Sequence, residues 1–205
     1  SESSVSVAEG GVDAEYTVVL DGEPVETTTV TLAVGSSDII AIPTSLSFTN
    51  ATWNEPQTVT VTAVDDDGVE DLEEVSITHS VTVANGMWTG NFSLSEDVTV
   101  RVYDDDTAGV LLSASALYLD EGSTSTYTIA LMGSPSDNVT VTADGTYLTV
   151  SPAMPLTFTP TGWDSAQIVT ATAVDDEIET ADSYTSTLSH SAVSDDADFD
   201  QSTTV

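Results

Sequence analysis

Between Thr58 and Val64 the chain alternates almost strictly: Thr58-Val59-Thr60-Val61-Thr62-Ala63-Val64. A period of two in β-branched residues sends one set of side chains to each face of an extended strand. Such a run is a half-buried antiparallel strand and cannot present one apolar stripe as a helix. Comparable Val/Thr/Ser runs recur along the whole sequence, and no segment carries a helical period with caps. Turn signals at Asp21-Gly22, Asn85-Gly86 and Asp144-Gly145 separate the runs. The pattern predicts an all-β protein.

The strand pattern also repeats. Glu15-Tyr16-Thr17-Val18-Val19-Leu20 returns as Thr126-Tyr127-Thr128-Ile129-Ala130-Leu131, and Phe48, Trp53, Gln57 and Val64-Asp65-Asp66 return 110 positions on as Phe158, Trp163, Gln167 and Val174-Asp175-Asp176. His79 returns as His190. Two copies, each with room for about seven short strands, predict two tandem immunoglobulin/fibronectin-like antiparallel β-sandwiches. Module 1 is expected over residues 1–106 and module 2 over 107–205. Val98–Tyr103 reads as the final strand of the first module, and Asp104-Asp105-Asp106 leads at once into the second. So short a connection is expected to limit rotation between modules. The first copy reads as missing the start of its first strand, and the second stops before any terminal aspartate run. The chain is therefore expected to be a segment of a longer array.

Charge narrows the function. There are 35 Asp and Glu against a single Lys or Arg (Arg101), for a net charge of −34. Self-repulsion on that scale opposes compaction unless cations bind or screen it. Phosphate backbones and anionic membranes need basic partners, so nucleic acid is excluded and membrane insertion is not expected. No apolar run is long enough to cross a bilayer as a helix. The chain has no Cys, so neither a disulfide nor a thiolate metal site can hold it together.

Divalent cations are the natural counter-ligands, because calcium takes six to eight hard oxygens in flexible geometry. In the first copy acidic groups gather at strand ends: Glu9; Asp38; Asp65-Asp66-Asp67 with Glu70 and Glu73; and Asp104-Asp105-Asp106. Loops meeting at one end of a sandwich bring such groups together, and like charges at close range are costly without metal. The EF-hand spacing is absent from Asp65-Asp66-Asp67-Gly68.

The Glu9-Gly10-Gly11 strand end, the strand leading into Val64-Asp65-Asp66-Asp67, the acidic stretch through Glu73 and Tyr103-Asp104-Asp105-Asp106 resemble the Calx-β family. These are calcium-binding modules of sodium–calcium exchangers and of many extracellular adhesion proteins, and the resemblance covers nearly the whole chain, once per copy. It implies that the corresponding carboxylates ligate Ca2+; Asp38 matches a family ligand by standing ten residues before Phe48. Trp53 with Pro56-Gln57-Thr58-Val59 is most similar to repeats of large surface proteins. Gly68 departs from the family by standing where a hydrophobic residue usually follows the aspartates. In the second copy Glu121, Asp175 and Asp176 are kept, Glu177 replaces the third aspartate, and Leu148 is read as the counterpart of Asp38. A fuller site is expected in the first module than in the second.

Other features have plainer readings. Scattered acids such as Glu23, Asp137 and Asp198 fit a solvated surface. Poly-aspartate runs lack the apolar pocket that a glycosidase acid needs, and no Gly-x-Ser-x-Gly elbow occurs, so no enzyme is expected. His79, His190, Trp53 and Trp163 hold matched registers and read as packing residues. Trp88, with Met87 and Phe92, is the one candidate for an exposed aromatic patch. Sequons stand at Asn50, Asn91 and Asn138, acceptors only in a secreted eukaryotic protein. The leading expectation is a calcium-stiffened structural or adhesive spacer of an extracellular or cell-surface repeat protein or filament. Its partners would be neighbouring repeats, and also like protomers or glycans. A ligand-binding module and a regulatory calcium sensor are the alternatives.

Overall fold

A computed structural model describes residues 3–84, 97–175 and 185–200. Among the described residues there are fifteen strands, β1 (Ser4–Ala8), β2 (Ala14–Val18), β3 (Thr28–Val34), β4 (Ile39–Ile42), β5 (Ser45–Phe48), β6 (Gln57–Ala63), β7 (Glu73–Val83), β8 (Val98–Tyr103), β9 (Val110–Leu112), β10 (Thr124–Leu131), β11 (Val139–Gly145), β12 (Leu148–Ser151), β13 (Leu156–Phe158), β14 (Gln167–Ala173) and β15 (Leu188–Ser194). The protein is all-β, and no helix among these residues is long and apolar enough to cross a membrane. The chain forms two compact units, Ser1–Asp66 with Glu70–Asp105, and Asp67–Val69 with Asp106–Val205.

The first unit is a sandwich of a five-stranded sheet, in the order β1-β8-β7-β3-β5, and a three-stranded sheet, β2-β6-β4. The period-two pattern decides which residues meet between them. Val75, Ile77 and His79 of β7, Val98, Val100 and Val102 of β8, and Thr28, Val30 and Leu32 of β3 point inward. Val59 and Val61 of β6 and Tyr16 of β2 face them from the other sheet, around a fully buried Phe48. All pairings are antiparallel except β1 with β8, which run parallel from Ser4↔Thr99 to Ala8↔Tyr103.

The second unit repeats the design with sheets β12-β14-β10-β9 and β13-β11-β15. Phe158 replaces Phe48 at the centre, with Ile129, Val139, Val141 and Val169 fully buried around it. The repeated residues hold equivalent places. Gln57 Nε2 donates to the Ser47 carbonyl and Gln167 Nε2 to the Thr157 carbonyl, both at 2.8 Å, so each side chain ties one sheet to the other. Trp53 and Trp163 pack half-buried against their cores, and their carbonyls accept from Leu20 N–H and Leu131 N–H. His79 and His190 are buried, each against a tyrosine of the opposite sheet.

One turn reading is corrected. Asp144-Gly145 is not a turn but the end of β11, where the two residues pair with Ser189 and Leu188. The chain reverses one residue later, at Thr146-Tyr147, with Tyr147 in the left-handed region at φ 63°. Asp21-Gly22 does lie in the β2–β3 connection, and Asn85-Gly86 lies outside the described residues, as do Met87, Trp88 and Phe92.

Because Phe48 and Phe158 fill the centres of separate cores, Phe48→Ala is expected to destabilise the first unit, and Phe158→Ala the second, by about 3–5 kcal/mol each. Urea unfolding followed by amide exchange in each unit measures both. A loss spread equally over the two units would contradict separate cores.

Candidate metal centre

The strand directions of the first unit place five chain segments at one pole. Because β1 and β8 run parallel and end at the paired residues Ala8 and Tyr103, Glu9 and Asp104 leave the sheet side by side. Strand β7 is antiparallel to β8 and begins at Glu73, opposite Val102. In the other sheet β6 ends at Ala63, opposite Ile39 at the start of β4, which brings Asp65 and Asp66 close to Asp38. The Val64 N–H donates to the Asp38 carbonyl at 2.8 Å and holds this corner.

One carboxylate oxygen from each of Glu9, Asp104 and Asp105 lies within 4.8 Å of the others. Glu9 is buried, at 5% exposure, with its own N–H donated to the Tyr103 carbonyl. Its Oε2 accepts from the Asp66 N–H at 3.3 Å, and Asp104 Oδ2 accepts from the Glu70 N–H at 2.8 Å. Gly10 is left-handed, at φ 57°, and a Cβ there would stand 3.0 Å from Asp105 Oδ2 and 3.6 Å from Asp65 Oδ1. The glycine therefore both makes the turn and leaves room for two carboxylates against the backbone. Asp38 is held by hydrogen bonds from the Ser36 and Ser37 hydroxyls.

The electrostatics follow from this crowding. Burial pushes the Glu9 carboxyl above the usual range, and the charges of Asp66, Asp104 and Glu70 add to the rise against the opposing Asp66 N–H. Glu70 is raised by burial and then by Asp66, Glu73, Asp38 and Asp104; Glu73 is raised by burial and by Asp38. Like charges gathered at this range repel, which opposes closing the pole. The one basic side chain is engaged elsewhere, since Arg101 Nε pairs with Glu74 Oε1 at 2.9 Å. Protons or a hard cation are the remaining means of relief. An all-oxygen donor set with a glycine-lined cradle fits calcium chemistry.

Eight of the predicted first-module residues thus belong to this pole: Glu9, Asp38, Asp65, Asp66, Glu70, Glu73, Asp104 and Asp105. Asp67 and Asp106 group by backbone contacts with the second unit, where the Asp67 carbonyl accepts from the Ser134 N–H. In the second unit the Glu121-Gly122 turn lies against β14, with the Gly122 N–H donated to the Ala173 carbonyl. Gly122 is again left-handed, at φ 69°, with Asp175 Oδ2 3.7 Å from where its Cβ would be. Asp176 and Glu177 lie outside the described residues, and so does Asn91; Asn50 and Asn138 are exposed.

The strand register corrects one assignment. Leu148 pairs with Ala173 as Ile39 pairs with Ala63, so Leu148 is the counterpart of Ile39. The residue in the place of Asp38 is Tyr147, whose carbonyl accepts from the Val174 N–H as that of Asp38 does from Val64. Counting by 110 misses this, because the repeat offset is 109 on this strand and 111 on the neighbouring tyrosine strands. Asp196, which the sequence did not single out, is a structural acid. Burial alone would raise its carboxyl, but hydrogen bonds from Ser136 N–H and Oγ and from the N–H groups of Asp198 and Phe199 hold it below the usual range.

No protein-family model matches the chain, and no curated protein matches it. Among solved structures it is similar to CBD12 of CALX1.2, at 17% identity and a TM-score of 0.40 over 95% of this chain and 81% of that one. It is similar to the calcium binding domain CBD12 of CALX1.1, at 17% identity and a TM-score of 0.39 over 93% and 77%. The D0-D1 domain of intimin matches at 18% identity and a TM-score of 0.30 over 93% and 88%.

A raised folded-state pKa at Glu9 means that its stabilising contribution is present below the unfolded value and is lost as pH rises through the folded one. In chelator, Glu9→Gln is therefore expected to be more stable than the parent at pH 7, since Gln imitates the protonated acid. The difference should shrink on acidification and vanish below about pH 4, where the parent carboxyl is protonated in both states. Paired urea titrations across this range check it; a variant less stable than the parent in chelator at pH 7 would refute the crowding argument.

Proposed function

We propose that the first unit binds Ca2+ through its acidic pole and that the chain is a calcium-dependent structural or adhesive spacer of an extracellular or cell-surface repeat protein. The observation that carries this reading is the convergence of Glu9, Asp104 and Asp105 within 4.8 Å beside the left-handed Gly10. Asp38, Asp65, Asp66, Glu70 and Glu73 supply further oxygens around them. The residues by which the sequence resembles Calx-β modules are largely those gathered at this pole.

The spacer role follows from where the ligands stand in the chain. Asp104 and Asp105 are the last residues of the first unit, and the second begins again at Asp106. A cation on those two carboxylates restrains the chain where one module hands over to the next. Neighbouring repeats of the same polypeptide are then the primary partners, with like protomers or glycans as further ones. The role is structural, with no catalysis. The second unit is the weaker site, with Glu121 and Asp175 retained and Tyr147 in place of an aspartate.

A ligand that binds only the folded state stabilises it by mass action, by about 2.7 kcal/mol at a free concentration 100 times the dissociation constant. Calcium is expected to raise the melting temperature of the first unit in this way, and Asp105→Asn to remove most of the gain. Calorimetric titration should show a larger loss of binding for Asp105→Asn than for Asp175→Asn. Small-angle scattering is expected to report a narrower distribution of dimensions in calcium than in chelator. Melting indifferent to both calcium and chelator would overturn the metal reading. Calcium binding with superimposable scattering profiles would overturn the spacer mechanism alone.

A further inference from the structure

Each unit carries the same buried polar pair, and the calcium reading makes no use of it. Tyr16 OH lies 2.9 Å from His79 Nε2, and Tyr127 OH 2.8 Å from His190 Nε2. The rings meet edge to face in both, at 88° and 86°. In each unit the tyrosine stands on one sheet (β2 or β10) and the histidine on the other (β7 or β15), so the bond crosses the core. The other ring nitrogen, Nδ1, is buried in both histidines with no hydrogen-bond partner among the described residues.

We infer that these two pairs are acid-released clasps, which join the sheets of each sandwich while the imidazole is neutral and let them loosen when it takes up a proton. A neutral imidazole has one N–H and one lone pair, and Nε2 with the tyrosine hydroxyl satisfies one of them. Protonation makes both nitrogens donors. The tyrosine oxygen can turn to accept from Nε2, but Nδ1 has no partner in hydrogen-bond geometry among the described residues, and a buried charge without a counter-charge is strongly unfavourable.

The surroundings supply little to offset it. Leu32 of β3 lies beside His79 in the sheet, Tyr16 faces it from β2, and Asp97, ahead of β8, is among the described residues the charged group that acts on it, in the direction of protonation. His190 has Ala143 of β11 beside it and Tyr127 of β10 opposite; Asp144 is exposed, and the Leu188 carbonyl of its own strand favours the proton from outside hydrogen-bond geometry. In both cases burial dominates and lowers the histidine below its usual range. A depressed folded pKa gives stability that is complete above the unfolded value and is lost as pH falls below it.

The chain has only two histidines, so ring-labelled nuclear magnetic resonance of the full chain reads both directly. Both rings are expected to titrate in the folded chain below the value of a free imidazole, about pH 6.5. Below about pH 6.5 the folding constant of each unit should fall by up to about tenfold per pH unit beyond the carboxylate background. Tyr16→Phe/His79→Phe should remove that extra fall from the first unit only, and Tyr127→Phe/His190→Phe from the second only, in calcium and in chelator alike. Rings that titrate at the ordinary value in a chain that stays folded would overturn the proposal. So would a double variant whose unit weakens in acid as steeply as the parent; if a variant does not fold, the parent ring titration decides alone.

Discussion

The parallel pairing of β1 with β8 is the constraint on which the acidic pole depends. Every other pairing in the molecule's named strands is antiparallel. Antiparallel neighbours send consecutive strand ends to opposite poles, so Glu9 and Asp104 would be separated by the length of a strand. Parallel neighbours end together, and carboxylate oxygens of residues 95 positions apart in the chain come within 4.8 Å. The antiparallel β7 and the β4–β6 pair then add their own acidic ends to the same place.

That arrangement sets two opposing terms against each other. The core of Val, Ile and Leu around Phe48 favours the sandwich, and its period-two burial needs no help from the loops. The pole works against it, because closing the sandwich forces like charges together and buries Glu9. A fold of this kind is stable in proportion to how well its surroundings neutralise the pole. The Tyr–His pairs introduce a second dependence on protons in the core itself. Its sign is opposite to that of the crowded carboxylates: protonation relieves the pole and disturbs the clasp.

How much of this was legible in the sequence depends on the range of the interaction. Strand faces, the two-copy organisation and the packing of Trp53, Trp163, His79 and His190 follow from local alternation and a repeat register, and the structure shows them. The candidate ligands at strand ends were legible too, since clustered aspartates in register are visible without coordinates. That Asp67 and Asp106 group by backbone contacts with the second unit was not legible, because adjacent aspartates look equivalent in a run. Leu148 was misplaced because a constant offset ignores insertions between strands. Asp144-Gly145 was read as a turn because it has turn composition, but the ladder with β15 continues through it.

What the amino-acid sequence determined by itself is the all-β character, the two sandwiches and the surplus of carboxylates, because each is a property of neighbours in the chain or of composition. Tertiary structure alone decided which carboxylates meet. It set Glu9 beside Asp104 through a parallel pairing that no local pattern encodes. It placed Tyr147 opposite Val174 through strand register, and it joined each tyrosine to a histidine 63 residues away across the core. These are contacts between elements distant in sequence, and only the packing of one sheet on another brings their atoms within reach.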